Sequence, residues 1–323
     1  MKVIVVSKRT WIGILICLLL LGVGLVVYFY KQETEQEPAS ATMATIDSYE
    51  LNAIPVMSRL VPVYRVSRDD QAIALTIDAA WSADKTRFIL DTLDRYGIKA
   101  TFFLCGVWVK AYPDMVKEIA ARGHEIAAHG YKHKWLTALP APQVLYEVLR
   151  DRRELEAIVK RPVTGLAYAM GDYDGRVIEL LRKAGFAYAR TVHSSRSFRT
   201  PIDSLEWHPT CHHADPRLME LAKSFVENTA DNDRPLLFYL WGHSYEFVEG
   251  NNWEIIERFA DFISGREDLW YVTNGELIAY MEAYKSLRFD AKRGIVYNPS
   301  AIDIYFFFDG KNLCAPAGKT TKL

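Results

Sequence analysis

The sequence predicts an α/β domain on a parallel sheet, closed or nearly closed at about seven strands. Two observations carry this. From about Ala72 to Tyr284 apolar runs alternate with helix-period patterns, and repeated strand–helix units imply parallel pairing. The stop signals also fall between the units, as at Gly123 and Gly185.

In order, Ala72–Ile77 reads as a strand, and Lys85–Tyr96 as a helix striped by Ile89, Leu93 and Tyr96. Lys99–Leu104 is a second strand. Asp114–Ala121 is a helix with Pro113 in its first turn, and Glu125–Ala128 is a third strand. Gln143–Val159 carries Leu145, Val148, Leu149, Leu155 and Val159 on one face, interrupted by Arg152. Strands Thr164–Met170 and Phe186–Val192 flank a helix near Arg176–Ala184. Pro216–Asn228, Leu236–Trp241, Trp253–Ile263 and Asp268–Thr273 complete the alternation. After Tyr284 the pattern turns β-like at Ile295–Tyr297 and Ile302–Phe308, with Asp309-Gly310 as a hairpin turn. No repeat of fixed period is present.

The N-terminus lies outside this rhythm. Residues 11–30 are uncharged and apolar, and a helix of that length covers about 30 Å, one hydrocarbon core. Lys2, Lys8 and Arg9 precede it, and Glu33, Glu35 and Glu37 follow. The positive-inside rule keeps residues 1–10 in the cytoplasm and puts everything after Tyr30 outside. The alternative is a cleaved signal peptide, with a small-residue site at Ala39-Ser40-Ala41. Residues 31–70 are read as a stalk, 71–284 as the main domain and 285–323 as a β-rich tail.

The 323 residues carry a formal net charge of −1 and a pI near 6.7, which gives no footprint for a nucleic-acid partner. Eight tryptophans suit either a sugar-binding surface or a core. Cys17 falls in the apolar span, leaving Cys105, Cys211 and Cys314 beyond it. An odd number at these spacings makes neither a disulfide framework nor a zinc motif. Cys105, at the end of an apolar run, reads as a small buried hydrophobe.

Three places hold residues suited to chemistry. Asp78 ends the first strand in Thr76-Ile77-Asp78-Ala79-Ala80-Trp81, and strand ends are where reactive side chains collect in β/α folds. His129 and His133 follow the third strand. Their spacing alone leaves a metal pair and a surface loop both open, while Gly130 in place of Glu excludes the helical metalloprotease motif. His243 lies two residues beyond the run Leu236–Trp241, placed as a general acid or as a structural histidine. His208, His212 and His213 precede Asp215-Pro216, an expected helix cap and first turn. His124 reads as a helix-exit residue.

Taken in order, Thr76-Ile77-Asp78, His129-x-x-x-His133, Ala167-Tyr168-Ala169-Met170-Gly171, Trp207 and His243 resemble the polysaccharide deacetylase family (NodB homology domain) over residues 70–284. Lys99-Ala100-Thr101-Phe102-Phe103-Leu104 and Gly123-His124-Glu125-Ile126 belong to the same resemblance. The front half looks like the membrane-anchored, sporulation-type branch. The resemblance implies a distorted (β/α) barrel and metal-dependent removal of N-acetyl groups from a glycan such as peptidoglycan. The metal is a divalent ion, zinc first, then cobalt or nickel. By position, His129 and His133 would be metal ligands, Asp78 the general base, and His243 the acid that protonates the departing amine. A backbone N–H near Met170 would help hold the oxyanion. Trp81, Met170, Trp207 and Tyr245 are the expected substrate contacts.

Two departures stand out. Ala79 occupies the place of the family's carboxylate ligand, which leaves the cation one protein ligand short of a catalytic site. Glu246, Asp172 and Asp174 are the candidates to replace it. Ala167 occupies the place of the arginine that orients the base, while Ala169 and Met170 replace that motif's proline and aromatic. Asp203-x-x-Glu206-Trp207 loosely echoes the fourth motif. The expected protein is a membrane-anchored extracytoplasmic deacetylase. The rivals are a glycan-binding relative without catalysis and a metal-dependent amidase on another C–N substrate.

Overall fold

The computed structural model describes residues 60–65, 71–78, 83–227 and 236–323. The predicted membrane span, Cys17 and Trp81 lie outside the described residues. Among those described, no helix is long and apolar enough to cross a membrane. All of them fall within one unit, Val56–Leu323.

A curled parallel sheet forms the body. After β1 (Leu60–Arg65), which pairs with the tail instead, its strands are β2 (Gln71–Asp78), β3 (Thr101–Leu104), β4 (Glu125–Ala128), β5 (Gly165–Ala167), β6 (Tyr188–Arg190), β7 (Cys211–His212), β8 (Leu236–His243) and β9 (Leu269–Val272). They run in the order β6-β5-β4-β3-β2-β8-β7, with β9 beside the first half of β2. The segment 207–213 bridges the two ends. Trp207 N donates to Ala189 O and Trp207 O accepts from Thr191 N, both at 3.0 Å, and Thr210 N donates to Tyr239 O at 2.8 Å. The sheet thereby curls into a nearly closed barrel, its last staves irregular loop rather than long strand.

Strand alternation divides the core in two. Ile73, Leu75, Ile77, Phe102, Leu104, Ile126, Leu166, Phe238 and Leu240 face the surrounding helices. Ala72, Ala74, Phe103, Ala127, Ala167, Tyr188, Trp207 and Tyr239 fill the barrel interior. Asp78, Arg190 and His243 share the interior parity, so each projects from a strand end into the barrel mouth. Helices pack outside. The first five are α1 (Ala83–Arg95), α2 (Gly106–Ala111), α3 (Pro113–Ala121), α4 (Ala141–Val159) and α5 (Gly175–Lys183).

The opposite end of the barrel is plugged by a helix over Asn274–Lys285. Its Gly275 N donates to the half-buried Glu125 at 2.8 Å, and Glu125 also accepts from Thr101 Oγ1 and Tyr188 Oη, each at 2.7 Å. The sequence reading names no helix here, although Thr273-x-x-Glu276 forms a full capping box. The reason is physical. One face of this helix packs into the barrel through Leu277, Ile278 and Met281, and another takes the C-terminal tail on Tyr280 and Ala283. A helix buried on both sides shows no amphipathic stripe. Gly106–Ala111 is likewise unread in the sequence; it is too short for a periodic signal.

Two expectations need correction. Strand Thr164–Met170 shortens to Gly165–Ala167, because Met170 adopts φ 58° and Gly171 φ 67°, which turns the chain away from the sheet. The stalk assigned to residues 31–70 does not extend through Leu60–Arg65, which forms a strand antiparallel to Ile304–Phe308. The expected hairpin is present, with Asp309 and Gly310 both at positive φ and Phe308 paired with Lys311. The tail makes two three-stranded sheets, one of which takes Leu60–Arg65 as an edge. His124 is fully buried, with Nδ1 accepting from Ala100 N at 3.1 Å.

Candidate active site

The site forms around one carboxylate. Asp78 is the last residue of β2, is 1% exposed, and pairs in register with His243, the last residue of β8. Arg190 Nη2 donates to both carboxylate oxygens of Asp78. The guanidinium is completely buried and lies over the Trp241 ring, 4.4 Å from its centroid. Burial pushes the Asp78 carboxyl up, but Arg190, then His129 and His243, outweigh it and hold the group below its ordinary value.

Arg190 was not legible as a site residue. The arginine expected from the family resemblance would stand where Ala167 is, on β5. In the sheet Ala167 pairs in register with Arg190 on β6, so the guanidinium reaches Asp78 from one strand further round. The residue beside Ala167 in space is 23 positions away in sequence. Only the strand pairing reveals the substitution.

His129 is held from two sides. Its Nδ1 lies 2.9 Å from Ala167 O, and a carbonyl only accepts, so Nδ1 carries the proton and Nε2 keeps its lone pair. Its backbone N–H donates to Asp151 at 2.7 Å, and Lys132 N donates to Glu147 at 2.7 Å, both from α4. Gly130, at φ 84°, makes the turn that this clamp fixes. His133, at φ 54°, brings its Nε2 to 3.2 Å from His129 Nε2. In a tetrahedral zinc site two imidazole nitrogens stand about 3.4 Å apart, so this pair fits a divalent cation. Burial lowers both imidazoles, His129 to about 4, which keeps them neutral as ligation requires.

The ligand expected at Ala79 lies outside the described residues, and an alanine offers no donor. Two of its candidate replacements are engaged elsewhere. Asp172 accepts from Thr137 N and Oγ1, both at 2.8 Å, and Asp174 caps α5 through Val177 N at 2.7 Å. Cys105 is 2% exposed at the end of β3. It offers a ligand atom that, with one from His129 and one from His133, makes a set within 4.8 Å of one another.

Glu246, the third candidate, serves the other side. Its Oε2 stands 3.0 Å from His243 Nδ1 and 3.0 Å from His212 Nε2, as ion-pair contacts, and 3.6 Å from His213 Nδ1. His212 Nδ1 accepts from Ala214 N at 3.2 Å, so His212 Nε2 carries the proton that points at Glu246. Gly242 leaves the room for the buried His213 ring, since a Cβ there would meet His213 Nδ1 at 2.1 Å. His243 thus presents Nε2 to Asp78 Oδ2 at 3.6 Å. Burial lowers the His243 imidazolium, but Glu246 and Asp78 outweigh it and raise the group above its ordinary value. Burial likewise raises the Glu246 carboxyl, and the two histidines drive it down.

Asp78, His129, His133 and His243 therefore lie together at one end of the barrel. Tyr245 joins them, its ring 5.1 Å from that of His243. Met170 is half exposed and its left-handed backbone is the sort of feature that gathers at functional sites. Trp207 is a correction. It is 1% exposed within the barrel interior, packed edge-on against Tyr239 and Tyr188, so it shapes the barrel rather than touching a substrate. Its size and indole chemistry suit core and sugar contact equally, and only its strand position separates the two.

Residues 65–189 match the family model for polysaccharide deacetylase. Over those residues the chain is similar to polysaccharide deacetylases. A chitooligosaccharide deacetylase of Rhizobium leguminosarum bv. trifolii is 33% identical over 46% of this chain and 64% of its own length. The peptidoglycan-N-acetylglucosamine deacetylase PgdA of Listeria monocytogenes is 34% identical over 29% of this chain and 20% of its own length. The chain thus spans less than two thirds of these relatives. A Mycobacterium smegmatis protein solved as a candidate polysaccharide deacetylase superposes with a TM-score of 0.55 at 18% identity, over 69% of this chain and 94% of that one. That likeness concerns the fold alone. Both of these curated relatives are named as deacetylases.

Two outcomes follow from the geometry. Arg190→Met leaves a buried carboxylate unpaired and should destabilise the domain by about 3–5 kcal/mol near neutral pH, read by urea unfolding. In the wild type the Asp78 contribution is present above the unfolded carboxyl pKa and is lost as pH falls through the lower folded value. In the variant burial dominates and raises Asp78, so the deficit should shrink on acidification as the group takes up a proton. Separately, Glu246→Gln should lower the imidazolium pKa of His243, followed by NMR titration of its ring, with no comparable change for His133.

Proposed function

We propose that this domain hydrolyses N-acetyl groups of a glycan, with peptidoglycan or a related N-acetylated polymer as substrate. The observation that carries the reading is Asp78 Oδ2, with His129 Nε2 and His243 Nε2 each 3.6 Å away. One carboxylate oxygen thus stands between a metal-type imidazole and an acid-type imidazole.

The roles follow from these contacts. Asp78 accepts the proton of the attacking water, and Arg190 keeps that carboxylate ionised and fixed in direction. His243, held by Glu246 at Nδ1, delivers a proton from Nε2 to the departing amine. A divalent cation held by His129 and His133 would polarise the acetamide carbonyl and acidify the water. The half-exposed Met170 and Tyr245 border the place where the sugar would lie.

Ala79 favours a second reading, a glycan-binding domain without turnover. Acetate release from N-acetylated oligosaccharides, with metal added back to the stripped chain, separates the two. On the catalytic reading Asp78→Asn and His243→Ala each lower turnover by about 10²–10⁴-fold. His129→Ala loses both metal and acetate release, whereas Asp78→Asn retains metal, and Ala79→Asp raises activity. Glycan binding with no acetate under any metal would leave the binding reading standing.

We also propose that residues 11–30 anchor the chain in a membrane with the domain on the outer side, supported by the basic residues before that segment and the acidic ones after it. Protease added to intact cells should digest the domain. Full protection, released only by lysis, would place it inside.

A further inference from the structure

We propose that Cys105 supplies the ligand that Ala79 lacks, so that the cation is held by one thiolate and two imidazoles. The inference rests on the metal-assisted reading above only for the presence of a cation, and it is tested without turnover.

Strand position comes first. β3 lies between β2, which ends in Asp78, and β4, which leads into His129. Cys105 directly follows β3, so it stands between the base and the first histidine ligand at the same end of the barrel. Its Sγ donates to His129 O at 3.7 Å, and the side chain packs in the helix-facing cluster. Cys105, His129 and His133 each offer one ligand atom within 4.8 Å of the others. A tetrahedral zinc site with the usual Zn–S and Zn–N lengths has an S···N edge of about 3.6 Å. The separations thus exceed that edge by at most about 1 Å, the inward movement of Sγ that ligation would require.

The acidic alternatives are committed. Asp78 is held by Arg190 through both oxygens, Asp172 and Asp174 are held by Thr137 and Val177, and Glu246 faces His243 and His212. The cluster His212–His243–Glu246 is itself close enough to be a ligand set. Its His212 Nε2 carries a proton, however, because Nδ1 accepts from Ala214 N. That disposes it to donate to Glu246 rather than to a cation. A thiolate, by contrast, is a stronger zinc and cobalt ligand than the carboxylate it would replace. On uptake of the cation the Cys105 thiol proton passes to solvent and an S–metal bond forms, so one proton is released with the thiol's ligation.

The full chain, stripped of metal and titrated with cobalt(II), provides the test. The expected result is one cobalt per chain with a sulfur-to-cobalt charge-transfer band in the near ultraviolet. Cys105→Ser should abolish the band and weaken cobalt binding at least about tenfold, whereas Cys211→Ser and Cys314→Ser should leave both unchanged. The wild-type spectrum alone stays decisive if Cys105→Ser does not fold. Cobalt bound without the band overturns the proposal, as does a band that survives Cys105→Ser, or cobalt that survives His129→Ala but not Glu246→Ala. Failure to bind cobalt at all overturns it too. Acetate release without the band would sink this ligand assignment and leave the deacetylase reading intact; a band without acetate release would do the reverse.

Discussion

The buried pair of Asp78 and Arg190 is the interaction on which the rest of the site depends. A carboxylate with almost no access to water would give up its charge unless something replaced its hydration. A guanidinium donating to both oxygens does so, and it also fixes the plane of the carboxylate. Trp241 and Phe103 cover the guanidinium, which keeps the pair dry and strong. The charge so maintained then orders the two imidazoles on either side.

The remaining contacts extend that order outward. Ala167 contributes only its backbone, yet its carbonyl sets the tautomer of His129. α4 contributes two carboxylates that grip the backbone of the His129–Lys132 turn. Glu246 sets the direction of His243 from only three positions along the same loop. The groups that would meet substrate are thus few, and most of the polar machinery positions them.

Ala167 stands where the sequence resemblance places an arginine, and Arg190 on the neighbouring strand supplies the cation beside Asp78. Parallel pairing puts Arg190 beside Ala167, and both lie on the interior side of the sheet. A long, rigid fork can span the added distance of one strand, about 4.8 Å, where a shorter cation would fall short. On the proposal made above, Cys105, just beyond the adjacent strand, would be the counterpart for Ala79.

By itself the sequence determined the alternation of strands and helices, the strand-end placement of Asp78 and His243, and the spacing of His129 and His133. These are local properties: period, cap and turn chemistry act over a few residues, and Gly123, Pro113 and Asp309-Gly310 mark their punctuation directly. The tertiary structure decided what depends on distant pairing. Arg190 became a partner of Asp78, Trp207 became core, Leu60–Arg65 became a sheet edge, and Asn274–Lys285 became the plug of the barrel. In each case the residue types permit several environments, and burial against a segment far along the chain selects one. Chemistry at a barrel mouth is gathered from many strands, so the sequence can name its reactive groups but only strand register sets which of them meet.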